Sequence, residues 1–217
     1  MDKQAFVAAV KKLRESPKKK FSQSVDLIIN LQQLDLKNPA HKVDVAANLP
    51  AGVGKKMKIC GLVDKELGDK SKQVFDHTIL KDQFSSLSVK DIKKLAEDYD
   101  YFVAQATLMV EIAKYFGKSL GPKSKMPNPK MGCVIPPNAN LEQVRDRLNK
   151  IVRLQIKKEP IIKALVGKDS LTDEQIAENA FTAYETVLHA LPNEKSNVHS
   201  VYLKFTMTPA VKIGGVA

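Results

Sequence analysis

Hydrophobic and polar residues alternate in several short segments near both ends of the chain. These segments are 25–31, 43–49, 154–156, 162–166 and 198–205. A period of two predicts half-buried strands of an antiparallel or mixed sheet, with one apolar and one polar face. Residues 2–15 repeat apolar positions at helical spacing instead, and a second helix begins after Thr172, whose capping-box partner is Gln175. Both chain ends therefore combine strands with helices.

The middle of the chain follows a different pattern. It contains short, mostly apolar runs at 57–63, 74–80 and 101–105. Helical segments separate or follow these runs, and they begin at Ser88, near Leu108 and after Asn140. Ser88 and Asp91 have the spacing of a capping box. This alternation of strand and helix predicts a βαβ unit with a small parallel sheet covered by helices.

Together the two patterns predict an α/β (α+β) protein of two domains. The outer, split domain comprises 1–55 and 153–217, and the inserted domain comprises 56–152. Insertions at exposed loops are well tolerated, and two connections at one place form a natural hinge. The predicted hinge residues are Gly52, Gly54, Lys55 and Arg153. A single continuous domain is the alternative.

Basic residues outnumber acidic ones by 35 to 24, and the formal net charge is +11. The excess is concentrated in residues 1–58, which hold 12 Lys and Arg against 5 Asp and Glu, a difference of +7. Such an excess is typical of proteins that bind a polyanion, in the cytosol most often nucleic acid. The alternative is a lysine-rich surface that faces water. That alternative predicts that the number of Glu residues increases together with the number of Lys residues, which is not the case in residues 1–58.

Composition disfavours several other function classes. No apolar run approaches the roughly 20 residues of a membrane-spanning helix, and no secretion signal is visible, so we expect a cytoplasmic protein without membrane contact. Cys60, Cys133 and four scattered histidines show no metal-ligand spacing, so we expect neither a metal nor a cofactor. The motifs GxSxG, HExxH and GxGxxG are absent, so we do not expect an enzyme. A nucleotide-using enzyme built on the βαβ unit is the rival hypothesis.

Residues 117–130 form a candidate contact with a polyanion. The segment reads GKSLGPKSKMPNPK, and its lysines are Lys118, Lys123, Lys125 and Lys130. It contains no acid, and its glycines and prolines predict an irregular loop. Such a loop can place ammonium and backbone N–H groups along a phosphate chain. A merely flexible basic loop is the alternative.

The polar face of the last predicted strand is a second candidate. It consists of Ser200, Tyr202, Lys204 and Thr206. Hydroxyl and ammonium groups can bind RNA phosphates and 2′-hydroxyls without depending on base sequence. A sheet face that simply meets water is the alternative.

The order and spacing of four short segments resemble a known family. They are 20–25 (KFSQSV), 48–50 with Gly52, Gly54 and Lys55, 120–123 with 125–129 (LGPK and KMPNP), and 206–209 (TMTP). None is specific alone. Together, over essentially the whole chain, they resemble the large-subunit ribosomal protein numbered one, in its archaeal branch. This family builds the mobile side stalk of the large subunit, near the tRNA exit site.

The resemblance implies that the inserted domain is Rossmann-like, with three layers, and that the outer domain binds large-subunit rRNA directly. The family's RNA-contacting positions fall on Lys20, Phe21, Ser24, Ser200, Thr206, Met207, Thr208 and Pro209. The charge and the polar strand face add Lys18, Lys19 and Lys204. The family usually has glycine where this chain has Thr208. Spacing alone also allows Phe21 to be a core residue, because it shares parity with Val25.

Further partners follow from the resemblance. It implies that the inserted domain swings on the hinge and helps to release exit-site tRNA, with the lysines of 118–130 as the contact to stalk RNA or tRNA. It also implies that such proteins bind a similar shape in their own messenger RNA and repress its translation. We expect a monomer when the protein is free. A general basic RNA-binding protein, without preference for the stalk site, is the remaining alternative.

Overall fold

The computed structural model of the chain describes residues 1–17, 19–38 and 41–215. In chain order its helices and strands are α1 (Lys3–Arg14), β1 (Ser24–Leu31), β2 (Asp44–Asn48), β3 (Ile59–Val63), α2 (Lys65–Val74), β4 (His77–Leu80), α3 (Val89–Asp98), β5 (Tyr101–Gln105), α4 (Met109–Leu120), β6 (Val134–Ile135), α5 (Leu141–Leu148), β7 (Ile151–Gln155), β8 (Ile161–Lys168), α6 (Asp173–Ala190), β9 (Val198–Phe205) and β10 (Val211–Gly215). The predicted α/β class is confirmed, because helices combine with both antiparallel and parallel sheets.

The chain divides into two compact units. Unit 1 comprises Met1–Lys55 and Lys150–Ala217, and unit 2 comprises Lys56–Asn149. The second connection lies between Asn149 and Lys150, not between Val152 and Arg153 as predicted. The reason is that β7 pairs with β2 from Ile151 onward, so these residues already belong to a unit 1 sheet.

Unit 1 is built on an antiparallel sheet with the strand order β10-β9-β1-β8, beside a two-stranded sheet of β2 and β7. Val25 and Ile29 of β1 are fully buried, and the residues between the apolar positions are half-buried, as the period of two predicts. The helices α1 and α6 pack together and contact this sheet. The ring of Phe6 in α1 lies 5.8 Å from the rings of both Phe181 and Tyr184 in α6. The other face of the sheet is partly exposed.

Unit 2 is a parallel sheet in the order β4-β3-β5-β6 with helices between its strands. Every residue of β3 is buried, as expected for a central strand covered on both faces. The core includes Phe84 and Phe116, whose rings meet edge to face at 5.2 Å. The predicted capping box of Ser88 and Asp91 begins α3 and is confirmed.

Some elements differ from the sequence prediction. Periodicity did not identify α2, β6 or β10, because α2 buries few apolar side chains and β6 has two residues. The helix α4 continues to Leu120, so Gly117 and Lys118 are helical and do not belong to the predicted loop. A glycine in a helix costs about 1 kcal/mol, which the burial of Phe116 and Leu120 offsets.

The close approach of β3 and α2 at Gly61 provides a test of the unit 2 packing. A Cβ at this position would lie 2.5 Å from the Ser71 hydroxyl and 2.8 Å from a ring carbon of Phe75. We expect Gly61→Ala to lower the free energy of unfolding by about 1–3 kcal/mol, because overpacking displaces side chains or backbone. Urea unfolding, followed by circular dichroism, measures the change.

Gly117→Ala is the matched control in the same unit, because nothing lies within 4 Å of its added Cβ. It should raise the free energy of unfolding by up to about 1 kcal/mol, since alanine favours a helix over glycine. Equal effects of the two substitutions would contradict the packing of β3 against α2.

Candidate RNA interface

The start of β1 and the end of β9 meet at one edge of the unit 1 sheet. The two strands are antiparallel, with Val25 opposite Phe205. Just beyond this pair, the Thr206 N–H donates to the Ser24 carbonyl at 3.1 Å. The Ser24 N–H donates in turn to Thr206 Oγ1 at 3.3 Å. Residues 19–24 and 206–209 thus form one surface, which we call the β1–β9 patch.

Gln23 connects the two segments of the patch by a hydrogen bond. It is 6% exposed, and its Oε1 accepts a hydrogen bond from the Met207 N–H at 3.1 Å. Its backbone carbonyl accepts from the Asp169 N–H at 2.9 Å. A buried amide bonded in this way holds the neighbouring backbone in place. The sequence analysis gave Gln23 no role, although a polar residue on the apolar parity of Val25 is a sign of a buried, hydrogen-bonded side chain.

Asp169, which follows β8, holds the first segment from the other side. Its carboxylate accepts from the Ser22 hydroxyl at 2.6 Å and from the Gln23 N–H at 2.9 Å. Partial burial raises the pKa of Asp169. The two hydrogen bonds and the positive charges of Arg14 and Lys168 lower it by a larger amount, so the pKa lies below its usual value. The carboxylate therefore stays charged at neutral pH. This residue was also missed by the sequence analysis.

The patch presents two large apolar side chains to solvent. Phe21 is 54% exposed and Met207 is 63% exposed. The core alternative for Phe21 is wrong, because β1 begins at Ser24 and its alternation does not extend back to residue 21. Unstacked RNA bases can stack on exposed side chains of this kind. Lys19 and Lys20 are exposed beside them, and Lys18 lies outside the described residues.

Thr208 closes the turn after β9. It is 9% exposed, and its Oγ1 accepts from the Phe205 N–H at 3.1 Å. Its own N–H donates to the Phe205 carbonyl at 3.2 Å. The hydroxyl is therefore used inside the turn, and Thr208 does not have the positive φ that would favour the family's glycine. Pro209 follows it and is exposed.

Ser200 lies at the other end of β9 and does not join the patch. It is 3% exposed, and its Oγ accepts from Asn30 Nδ2 at 2.9 Å. At about 3.3 Å per residue, about 20 Å of strand separates it from Thr206. Lys204 lies between them, opposite Asp26 in the register. Burial raises the pKa of Asp26 and the Lys204 charge opposes that rise, so part of the Lys204 charge is balanced.

Comparison with known proteins identifies the family. The model of the ribosomal protein L1p/L10e family matches residues 12–209. The chain belongs to this family. The large ribosomal subunit protein uL1 of Nanoarchaeum equitans is 41% identical over 211 residues, which cover 95% of this chain and 98% of the relative. The proteins of the same name from Pyrococcus abyssi (38% identity, 99% and 97% covered) and Methanothermobacter thermautotrophicus (36% identity, 97% and 99% covered) are further relatives.

The family confirms the resemblance seen in the sequence, including its archaeal branch. It is a family of ribosomal proteins and not of enzymes. Burial raises the pKa of the Cys60 thiol to about 12, so this thiol stays protonated at neutral pH. Within the described ranges, no three His, Cys, Asp or Glu side chains gather where a metal ion could bind. No helix in this part of the chain has the length and apolarity that crossing a membrane requires.

The lysines predicted in the 118–130 loop have different environments. Lys123 Nζ lies 2.9 Å from Glu97 Oε1 of α3, so this lysine has a counter-charge that the sequence pattern did not reveal. Lys125 Nζ donates to the Tyr99 carbonyl at 2.7 Å. Lys118 and Lys130 are exposed. The expectation of four unbalanced lysines is therefore wrong for Lys123, and Lys125 is held inside unit 2.

The predicted hinge residues fall into two groups. Gly52 and Gly54 have φ of 68° and 72°, a conformation that favours glycine, and Lys55 follows them at the end of the first part of unit 1. Arg153 is not at a connection: it lies in β7, and its guanidinium donates to both carboxylate oxygens of Asp44 at 2.7 and 2.8 Å. It forms part of the pairing between β2 and β7.

Buried Asn179 of α6 fixes the turn that leads to the first connection. Its Nδ2 donates to the Gly52 and Val166 carbonyls, each at 2.8 Å, and its Oδ1 accepts from the Ala51 N–H at 3.1 Å. The sequence analysis missed this residue. A polar residue on the apolar stripe of a predicted helix was the available sign.

Asp169→Asn tests whether the patch depends on this carboxylate. On charge alone, removing a negative group from a basic surface should strengthen RNA binding. We expect the opposite, a fall in affinity of at least fivefold, because the amide NH2 cannot accept the hydrogen bond that one carboxylate oxygen accepts, and the Ser22–Gln23 segment is held less firmly. Filter retention of a fragment of the large-subunit rRNA stalk base by the full chain decides between the two outcomes. Glu174→Gln in α6 removes the same charge from an exposed position and is the control.

The effect of Asp169→Asn on the melting temperature should depend on pH. Because the pKa of Asp169 is lowered by folding, its stabilisation is fully present above the unfolded value of about 3.9 and is lost as the pH falls through the folded value. The difference in melting temperature between the wild type and Asp169→Asn should be constant from pH 7 to about 5 and should shrink below about pH 4. A difference that does not change with pH would contradict the role of the charged carboxylate.

Proposed function

We propose that this chain is a structural component of the large ribosomal subunit, in the cytoplasm, and that unit 1 binds large-subunit rRNA directly through the β1–β9 patch. The observation that carries the proposal is the hydrogen-bonded junction of Ser24 with Thr206, beside exposed Phe21 and Met207. Membership in the L1p/L10e family, whose relatives are named large ribosomal subunit protein uL1, supports it.

The chemistry of the patch suits recognition of RNA shape. Ser24 and Thr206 offer hydroxyl groups to phosphates and 2′-hydroxyls, and Phe21 and Met207 offer apolar surfaces against which unpaired bases can pack. Because Gln23 and Asp169 hold these groups in the free protein, little conformational entropy is lost on binding. Lys19 and Lys20 add a salt-dependent attraction that does not depend on sequence.

Unit 2 has a proposed role in the movement of the stalk. The connections near Gly54 and Asn149 act as a hinge on which unit 2 swings while it helps exit-site tRNA to leave. On the unit 1 side the chain is anchored by the Leu49 N–H, which donates to the Lys150 carbonyl at 2.8 Å. On the unit 2 side the Met57 N–H donates to Asn149 Oδ1 at 3.0 Å. These anchors support a pivot confined to a few residues.

The β1–β9 patch also binds a similar RNA shape in the chain's own messenger and represses its translation, and the free protein is a monomer. Repression through the patch depends on recognition of RNA shape and not of charge alone. A general basic RNA-binding protein, the alternative function, would bind unrelated RNA equally well. The experiment below separates the two.

Ser24→Ala/Thr206→Ala tests the patch. We expect the affinity of the full chain for a fragment of the rRNA stalk base to fall at least tenfold, since two hydroxyls at the strand junction are lost. Binding to an unrelated hairpin of equal length should change less than twofold. Fluorescence anisotropy across a salt series measures both affinities.

Ser85→Ala/Thr107→Ala is the matched control, because both residues are exposed in unit 2. It should leave both affinities unchanged, and unfolding curves should show that each variant is folded. A patch variant that keeps stalk affinity within twofold would place the RNA site elsewhere. Equal wild-type affinity for both RNAs would favour the general RNA-binding protein.

Lys118→Gln/Lys130→Gln tests the role of unit 2. We expect slower release of deacylated tRNA from the exit site, by about threefold or more, because each lost ammonium removes one phosphate contact. Stopped-flow fluorescence on reconstituted ribosomes measures the rate. Affinity for the stalk fragment should not change. Lys123→Gln, which disrupts the ion pair with Glu97, is the comparison and should have the smaller effect on tRNA release. An unchanged rate in the double variant would refute this contact.

A further inference from the structure

Unit 1 has a second basic surface, outside the β1–β9 patch. A groove of about 490 Å³ runs between β7 and β8 and includes the loop that joins them. The charged residues that line it are Arg153, Lys157, Lys158, Glu159 and Lys163. It has no apolar floor beyond Ile161, so it does not suit an apolar ligand. Its composition suits an anion.

The lysines of the groove are not balanced by acids. No ion pair of Lys157, Lys158 or Lys163 occurs in the part of the chain that the structure describes. Glu159 is the one carboxylate in the lining, and Arg153 is bonded to Asp44. Some exposed lysines in unit 2 form ion pairs instead, such as Lys65 with Asp82 at 2.8 Å and Lys81 with Glu111 at 2.9 Å. Unpaired like charges on one concave surface repel each other, and an anionic partner removes that cost.

The groove continues onto the partly exposed face of the sheet. One row of residues runs across the four strands of this sheet. It consists of Lys163 in β8, Ile28 in β1, Tyr202 in β9 and Lys212 in β10, each paired with the next. Residues directly opposite in antiparallel strands project from the same face. At about 4.8 Å per strand, this row crosses about 14 Å of sheet with a lysine at each end. The positive surface is therefore longer than the groove.

Groove and patch lie at opposite ends of one sheet. Ser200 and Asn30 mark the groove end, because Asn30 is opposite Ile161, and Ser24 and Thr206 mark the patch end. The two ends are about 20 Å apart at about 3.3 Å per residue. One helical turn of a nucleic-acid duplex is longer than this distance, so a single RNA helix can reach from one end to the other.

We infer that the β7–β8 groove binds the phosphate backbone of an RNA helix that flanks the site held by the β1–β9 patch. Lysine ammonium groups contact phosphates as point charges and do not read bases. The groove therefore contributes affinity and salt dependence, and the patch contributes the preference for one RNA shape. This inference rests on the proposed binding of rRNA by unit 1.

The test combines a charge variant with a change of RNA length. The variant is Lys157→Gln/Lys158→Gln/Lys163→Gln in the full chain. Two RNAs are compared: the stalk-base core, and the same core extended by one helical turn. For the wild type we expect the extension to raise affinity at least tenfold at about 0.05 M salt. The variant should lose most of that gain, and the slope of log affinity against log salt should fall in magnitude by about 2 to 3.

The control is Lys90→Gln/Lys93→Gln/Lys94→Gln, which removes the same charge from exposed positions of α3 in unit 2. It should keep the gain from the extension. Melting temperatures of both variants should stay close to the wild type, since all six lysines are exposed. A groove variant with the same length gain and salt slope as the control would overturn the inference.

Failure of the proposed function gives a different result. If the wild type binds an unrelated hairpin as well as the stalk core, rRNA specificity is refuted. The groove is then tested by the slope of log affinity against log salt for the hairpin alone. A slope reduced only in the groove variant supports contact of the groove with the RNA phosphate backbone. Equal slopes in both variants refute that contact.

Discussion

The antiparallel pairing of β1 with β9 joins residues that lie near the two ends of the chain. β1 occupies the middle of its sheet, and both of its neighbours, β8 and β9, follow unit 2 in the sequence. Unit 1 therefore cannot complete its sheet before the last part of the chain is present. The strands of unit 2 are close in sequence and pair with a lower entropic cost of loop closure.

The same pairing creates the candidate RNA interface. Ser24 and Thr206 become neighbours only because β1 and β9 end at the same edge. Hydrogen bonding of the strands alone does not define the positions of the loops beyond that edge. Two buried or partly buried polar side chains do this: Asp169 accepts from the Ser22 hydroxyl and the Gln23 N–H, and Gln23 accepts from the Met207 N–H. A preformed surface of this kind can recognise the shape of a folded RNA without first ordering itself.

The lysines of this protein have two kinds of environment, and the net charge of the chain does not distinguish them. Lys65, Lys81 and Lys123 form ion pairs within unit 2 and contribute little to the field around the molecule. Lys157 and Lys158 in unit 1 face solvent on a concave surface. Charges without a partner nearby, such as this second group, project a field to a distance of about a Debye length.

Local patterns were sufficient to predict much of the fold. The alternation in β1 and β9, the capping boxes at Ser88 and Thr172 and the apolar strand β5 each depend on residues a few positions apart, and the structure has all of them. The family could also be recognised, because its motifs keep their order along the chain.

Tertiary structure decided the use of individual side chains. Whether Phe21 is buried depends on where β1 begins, and whether Lys123 is balanced depends on α3 bringing Glu97 to it. Ser200 shares a strand face with Lys204 in the sequence pattern, yet its hydroxyl is covered and bonded to Asn30. These outcomes rest on contacts between residues distant in sequence, and such contacts leave no periodic trace in the sequence itself.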